Sequence, residues 1–100
     1  MKLGVLVNTE KHLDDIIGLI KAALARNHEV VVFTMDAGTR LFKYPHYREL
    51  CGLSGVKMSF CDHNAKKFEA QTSGIPEEIV CGSQYDNAMM MHECDKVIVL

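Results

Sequence analysis

The sequence lacks an excess of either charge: eleven Lys and Arg stand against thirteen Asp and Glu, a formal net charge of -2. Its basic residues are scattered, with no run longer than Lys66-Lys67. There is thus no electrostatic footprint for nucleic acid. A long apolar run is also missing. After Met1-Lys2, the stretch Leu3-Gly4-Val5-Leu6-Val7 is too short for a signal-peptide core or a membrane span. The expectations are no membrane partner and a cytoplasmic location. The cysteines at 51, 61, 81 and 94 include no Cys-x-x-Cys pair, and their spacing matches no zinc ribbon or finger. With no sign of secretion, free thiols in a reducing compartment are expected in place of a disulfide framework. No glycine loop follows the first apolar segment, where Asn8-Thr9-Glu10-Lys11 stand instead. That excludes the dinucleotide fingerprint and the P-loop, and no cofactor is expected. Linkers and internal repeats are absent as well, so residues 1–100 read as a single domain.

What the sequence does hold is apolar material, 48% of its residues, arranged in two alternating periods. Lys2 to Asn8 reads as a short buried strand. From about His12 to Arg26 the period becomes helical, with Leu13, Ile16, Ile17, Ile20 and Leu24 on one stripe. Asp14 and Asp15 complement the positive end of that helix, and Asn27 suits a left-handed closing residue. Glu29 to Met35 is a second strand, followed by a loop around residues 36–39. A short helix is expected from Pro45 to before Gly55. In the third strand, Val56 to Cys61, the residues Val56, Met58 and Phe60 face one side and Lys57, Ser59 and Cys61 the other. A helix is expected over about Asp62 to Thr72 and a buried strand over Glu78 to Gly82. Ser83, with Asp86 three residues on, signals a capped helix whose inner face would carry Tyr85, Ala88, Met89 and His92. Lys96 to Leu100 is the last strand. Strands alternating with helices predict a three-layer α/β/α sandwich around a mostly parallel five-stranded sheet.

Chemistry in such folds sits at the carboxyl ends of the strands. Asn8, Thr9 and Asp36, at the first two, read as turn and cap residues. The third strand ends on Cys61, and Asp62-His63-Asn64 opens the helix that follows. A thiol there meets unpaired amide N–H groups and the positive end of a helix dipole, both of which favour the nucleophilic thiolate. Lys66, Lys67 and His63 are near in sequence. Cys51 lies in a short apolar helix, Cys81 inside a strand read as buried, and Cys94 in a last helical turn; each is a poorer place for a thiolate. Cys61 is therefore the candidate nucleophile, with Asp62, His63 and Asn64 as supporting residues. The plain alternative is that Cys61 is a small core hydrophobe. The spacing of Cys61, His63 and His92 gives no reason to expect a metal.

The Cys61-Asp62-His63-Asn64-Ala65 turn, the Gly82-Ser83-Gln84 step and the closing Cys94-Asp95-Lys96-Val97-Ile98-Val99 segment resemble the DsrE/DsrF-like family. That family includes YchN-like proteins and TusD-type sulfur-relay subunits. The resemblance covers essentially the whole chain in element order and implies a five-stranded parallel fold that assembles into oligomers. In the relay subunits one cysteine just after the third strand carries sulfur as a persulfide, and Cys61 falls there. Met89-Met90-Met91 cannot all face one core, which also points to a homo-oligomer. The implied function is transfer of sulfane sulfur between a donor and an acceptor protein through Cys61. Two alternatives are a non-catalytic oligomeric interaction or redox-sensing module, and a small-ligand-binding module with Cys61 lining the pocket.

Overall fold

Short runs of β-branched residues form five strands in the computed structural model, which describes residues 1–100: β1 (Lys2–Val7), β2 (Glu29–Thr34), β3 (Val56–Cys61), β4 (Ile79–Gly82) and β5 (Lys96–Val99). They make one sheet in the order β4-β3-β2-β1-β5, and every pair is parallel. The helical segments are α1 (Leu13–Ala25), a 3-10 helix (Asp36–Lys43), α2 (Pro45–Arg48), a second 3-10 turn (Glu49–Gly52), α3 (Asp62–Lys67) and α4 (Gln84–Glu93). They cover both faces of the sheet, as the α/β/α expectation required.

The strand order decides which face each helix covers. From β1 to β4 the chain steps one way across the sheet, and right-handed crossovers place every intervening helix on the same face. Only the last connection returns, from the β4 edge past three strands to the β5 edge, so α4 lies alone on the opposite face. The crowded face holds the main core. Leu3, Val5, Val7, Val30, Val32, Val56, Met58, Phe60 and Ile79 meet Ile16 and Ile20 of α1, and Leu41, Phe42, Tyr47 and Leu50 of the segments that follow β2. The α4 face has a smaller cluster of Leu6, Phe33, Cys61 and Met90, flanked by Val31, Met35, Cys94 and Val97.

Several local expectations are met and others are corrected. Asn27 closes α1 at φ 64°. Ser83 and Asp86 form a complete capping box, and β3 presents its two faces as the alternation required. The segment after β2 is a 3-10 helix and not an open loop, started by Asp36 at φ 48°. The helix after β3 stops at Lys67, well short of Thr72, because Glu69 turns to φ 53°. On α4 the buried residue is Met90; Tyr85, Ala88, Met89 and His92 are exposed. β4 is an edge strand, and Val80 is 52 % exposed on it. With one helix spread over five strands, that side of β3 and β4 stays open.

Candidate functional site

Cys61 is the last residue of β3 and the N-cap of α3, with extended backbone (φ -83°, ψ 111°). Strand alternation sends its side chain to the α4 face, among Leu6, Phe33 and Met90, where it is only 3 % exposed. Two expectations change here. The side chain makes no capping hydrogen bond to α3, and α3 is only six residues long, so the amide cradle does not engage the thiol. The enclosure of Cys61 is apolar. Met35, just past β2, packs against the same cluster, and Gln84 Nε2 reaches Met35 Sδ at 3.9 Å. These two side chains meet at the strand ends, beside the cluster that holds the thiol.

The three supporting candidates separate. Asp62 forms an i,i+4 ion pair with Lys66 at 3.0 Å. Lys66 first, and then the Cys81 thiol, holds its carboxyl below the usual carboxylate range. Asn64 Oδ1 accepts the backbone N–H of Asp36 at 3.1 Å, tying the start of α3 to the turn after β2. Asn64 thus holds the left-handed Asp36 in place. His63 is exposed, and no hydrogen bond links Asp62, His63 or Asn64 to the Cys61 thiol.

The other thiols are pushed up from their ordinary range. Burial does this at Cys51, with Glu78 adding to it, and burial does it at Cys94. At Cys81 partial burial of the sulfur comes first and Asp62 second. Yet Cys81 as a residue is exposed, contrary to its reading as part of a buried strand. β4 has the apolar composition of an inner strand, and nothing local marks it as an edge. The available signal was topological, since the strand before a long return crossover ends one side of a doubly wound sheet.

Two depressions flank this region and neither includes Cys61. One of ≈ 320 Å³ runs between α4 and the open face of β2 and β3, lined in part by Val31, Lys57, Ser59, Val80, Met89 and Met90. It reaches Lys2, Glu29 and Val56, toward the amino ends of the strands. The other, ≈ 570 Å³, lies on the opposite face at the β4 edge and includes Phe60, Asp62, Ile75 and Cys81. At the switch point between β1 and β5, Thr9 Oγ1 donates to the Leu100 carbonyl at 3.0 Å. No three His, Cys, Asp or Glu side chains converge as a metal would need. No helix is long and apolar enough to cross a membrane.

The class defined by these features is an all-parallel α/β/α protein whose α4 face encloses a thiol at the end of an inner strand. Among solved structures, the fold is similar to the ychN protein from E. coli, with a TM-score of 0.77 and 16% identity over 100% of both chains. It is also similar to MTH1491 from Methanobacterium thermoautotrophicum, a protein of unknown function, with a TM-score of 0.74 and 14% identity over 99% of this chain and 98% of that one. At these identities the likeness is one of fold. No protein-family model matches the sequence, and no curated protein matches it.

Proposed function

We propose that the protein is a sulfur-relay carrier in which Cys61 holds sulfane sulfur as a persulfide. The observation that carries this reading is positional: Cys61 is the one cysteine at the carboxyl end of an inner strand, in a fold similar to that of ychN. The resemblance to DsrE/DsrF-like relay subunits points to the same residue. Cys61 thiolate attacks the terminal sulfur of a donor persulfide, an S–S bond forms on Cys61, and the donor leaves as a thiolate. An acceptor protein's thiolate then attacks the terminal sulfur of Cys61–S–SH and restores the Cys61 thiolate. Enclosure by Leu6, Phe33 and Met90 shields the loaded persulfide from water and stray thiols. Asp62 and Asn64 serve the site by fixing the β3–α3 turn.

The test is loading by a cysteine desulfurase with cysteine, read by intact mass. A gain of one sulfur atom that survives Cys51→Ser, Cys81→Ser and Cys94→Ser but not Cys61→Ser is expected.

The α4 face favours a second reading, a non-catalytic interaction or ligand-binding module, because the groove there is open, mixes apolar side chains with charged ones and does not include Cys61. Homo-oligomerisation fits either reading. Tyr85 is 70 % exposed, and Met89 and Met91 are also exposed on α4, on either flank of the buried Met90. Light scattering in dilute solution should give more than the 11.2 kDa of one chain.

A further inference from the structure

We propose that Cys81, Asp62 and Lys66 form a second thiol site, which exchanges with neutral or cationic low-molecular-weight disulfides on the face of the sheet opposite Cys61. Cys81 is two residues beyond Ile79 on β4, so both point toward the main-core face, while Cys61 points toward α4. In the parallel register Cys81 is level with Phe60. The chain then turns at Cys61, which puts Asp62 on the wall of the same depression as Cys81. Lys66 Nζ, one helical turn on, holds the Asp62 carboxylate at 3.0 Å. Three groups from two elements thus meet at an open strand edge, a nucleophile, a carboxylate and an ammonium.

The ≈ 570 Å³ depression beside them gives a partner somewhere to sit. Phe60, Ile75 and Pro76 offer apolar wall for the methylene groups that flank a disulfide, while Asp62 and Glu77 set the charge preference. Two carboxylates against one ammonium favour a cation and disfavour an anion. Water can enter, so the preference weakens with salt.

In the exchange, the Cys81 thiol loses its proton to solvent and the thiolate attacks one sulfur of R–S–S–R. A Cys81–S–S–R bond forms as the original S–S bond breaks. Cys81 sulfur is oxidised, and the departing sulfur is reduced and takes a proton from water to leave as R–SH. Burial first and Asp62 second hold the Cys81 thiol above its ordinary range, and Lys66 counters them, so the pair modulates how readily the thiolate forms.

The test exposes the full-length protein to cystamine (cationic), bis(2-hydroxyethyl) disulfide (neutral) and dithiodiglycolate (anionic), each rate normalised to a free cysteine peptide. Adducts are located by peptide mass mapping. The first adduct should form on Cys81, with normalised rates falling from cationic to anionic at low salt and converging at high salt. Cys61→Ser should behave as wild type, which separates this site from the relay reading. Asp62→Asn should react about threefold faster with the neutral disulfide, the gain in thiolate being partly offset by its lower nucleophilicity. That variant should also lose the cationic preference, and Lys66→Met should react more slowly than wild type. A first adduct on Cys51, Cys61 or Cys94 overturns the proposal. So does an Asp62→Asn protein whose rate and charge preference match wild type.

Discussion

Replacing Gly38 by Ala should destabilise the protein although Ala is the better helix former. The residue lies in the first turn of the 3-10 helix, and its backbone rests on the end of β1. A Cβ there would stand 2.5 Å from the Val7 carbonyl oxygen and 2.9 Å from its carbon. Carbon contacts are comfortable only from about 3.5 Å, so the two backbones must part by on the order of 1 Å. Both sides of the clash are backbone, so no rotamer change relieves it. The same Val7 carbonyl accepts the Met35 N–H at 2.8 Å, and parting weakens that bond. Overpacking costs about 1–3 kcal/mol and the strained hydrogen bond up to about 1 kcal/mol. Against this, removing glycine's freedom in the unfolded chain returns about 0.5–1 kcal/mol. The net expectation is a loss of about 1–3 kcal/mol, and at about 4–8 °C per kcal/mol the midpoint should fall by roughly 5–20 °C. Thermal melting followed by circular dichroism, with a urea titration at unchanged m-value, measures it. Because Met35 moves with this turn, alkylation of Cys61 should also quicken relative to Cys51 in the folded protein. A Gly38→Ala melting point equal to or above wild type would refute the reasoning.

Tyr47 is fully buried, and its hydroxyl shares a 2.6 Å hydrogen bond with Thr34 Oγ1. Tyr47→Phe should therefore cost about 1–3 kcal/mol by stranding a buried hydroxyl, while Thr34→Val with Tyr47→Phe should recover much of the loss. A double variant less stable than the single would count against this. Burial, opposed only by the Thr34 bond, pushes the Tyr47 phenol far above its ordinary value near 10. Its contribution is intact below that value and lost as pH rises above it, so wild type should lose stability in alkali more steeply than Tyr47→Phe. For Asp62 the sign reverses: Lys66 holds the carboxyl low, so the ion pair supports the fold above the ordinary carboxylate range and is lost as pH falls through the lowered value. Wild type should exceed Asp62→Asn slightly at neutral pH, and the two melting curves should converge in strong acid. A gap that widens on acidification would contradict that.

Elements whose signals were local were legible in the sequence. The alternation of Val56, Met58 and Phe60 against Lys57, Ser59 and Cys61 placed β3 at its true limits and divided its faces correctly. The apolar stripe through Ile16 and Ile20, closed by Asn27, located α1. What escaped depended on distant contacts. Three consecutive methionines give α4 no phase, and Met90 turns inward because α4 crosses over Gly4, where a Cβ would already come within 3.2 Å of it. Strand order is not written in any one strand, so β4 passed for an inner strand and Cys81 for a buried thiol. The 3-10 helix depends on Gly38 meeting Val7 and on Asn64 reaching back to Asp36, pairings that no sequence window contains. Cys61 was singled out by its place at a strand end, and the strand does end there. Its amide cradle was not there, because α3 is short and Cys61 turns toward α4.

A relay role requires that Cys61 take up sulfane sulfur and hand it on. Its most direct test is single-turnover transfer: protein loaded by a cysteine desulfurase, freed of donor and mixed with an acceptor thiol protein, with both partners followed by intact mass. One sulfur atom should leave the carrier and appear on the acceptor faster than from a small-molecule persulfide at equal concentration. Cys61→Ser should transfer nothing, while Cys81→Ser should transfer normally. Loading spread evenly over the four cysteines, or a Cys61 persulfide that no acceptor thiol discharges, would contradict it.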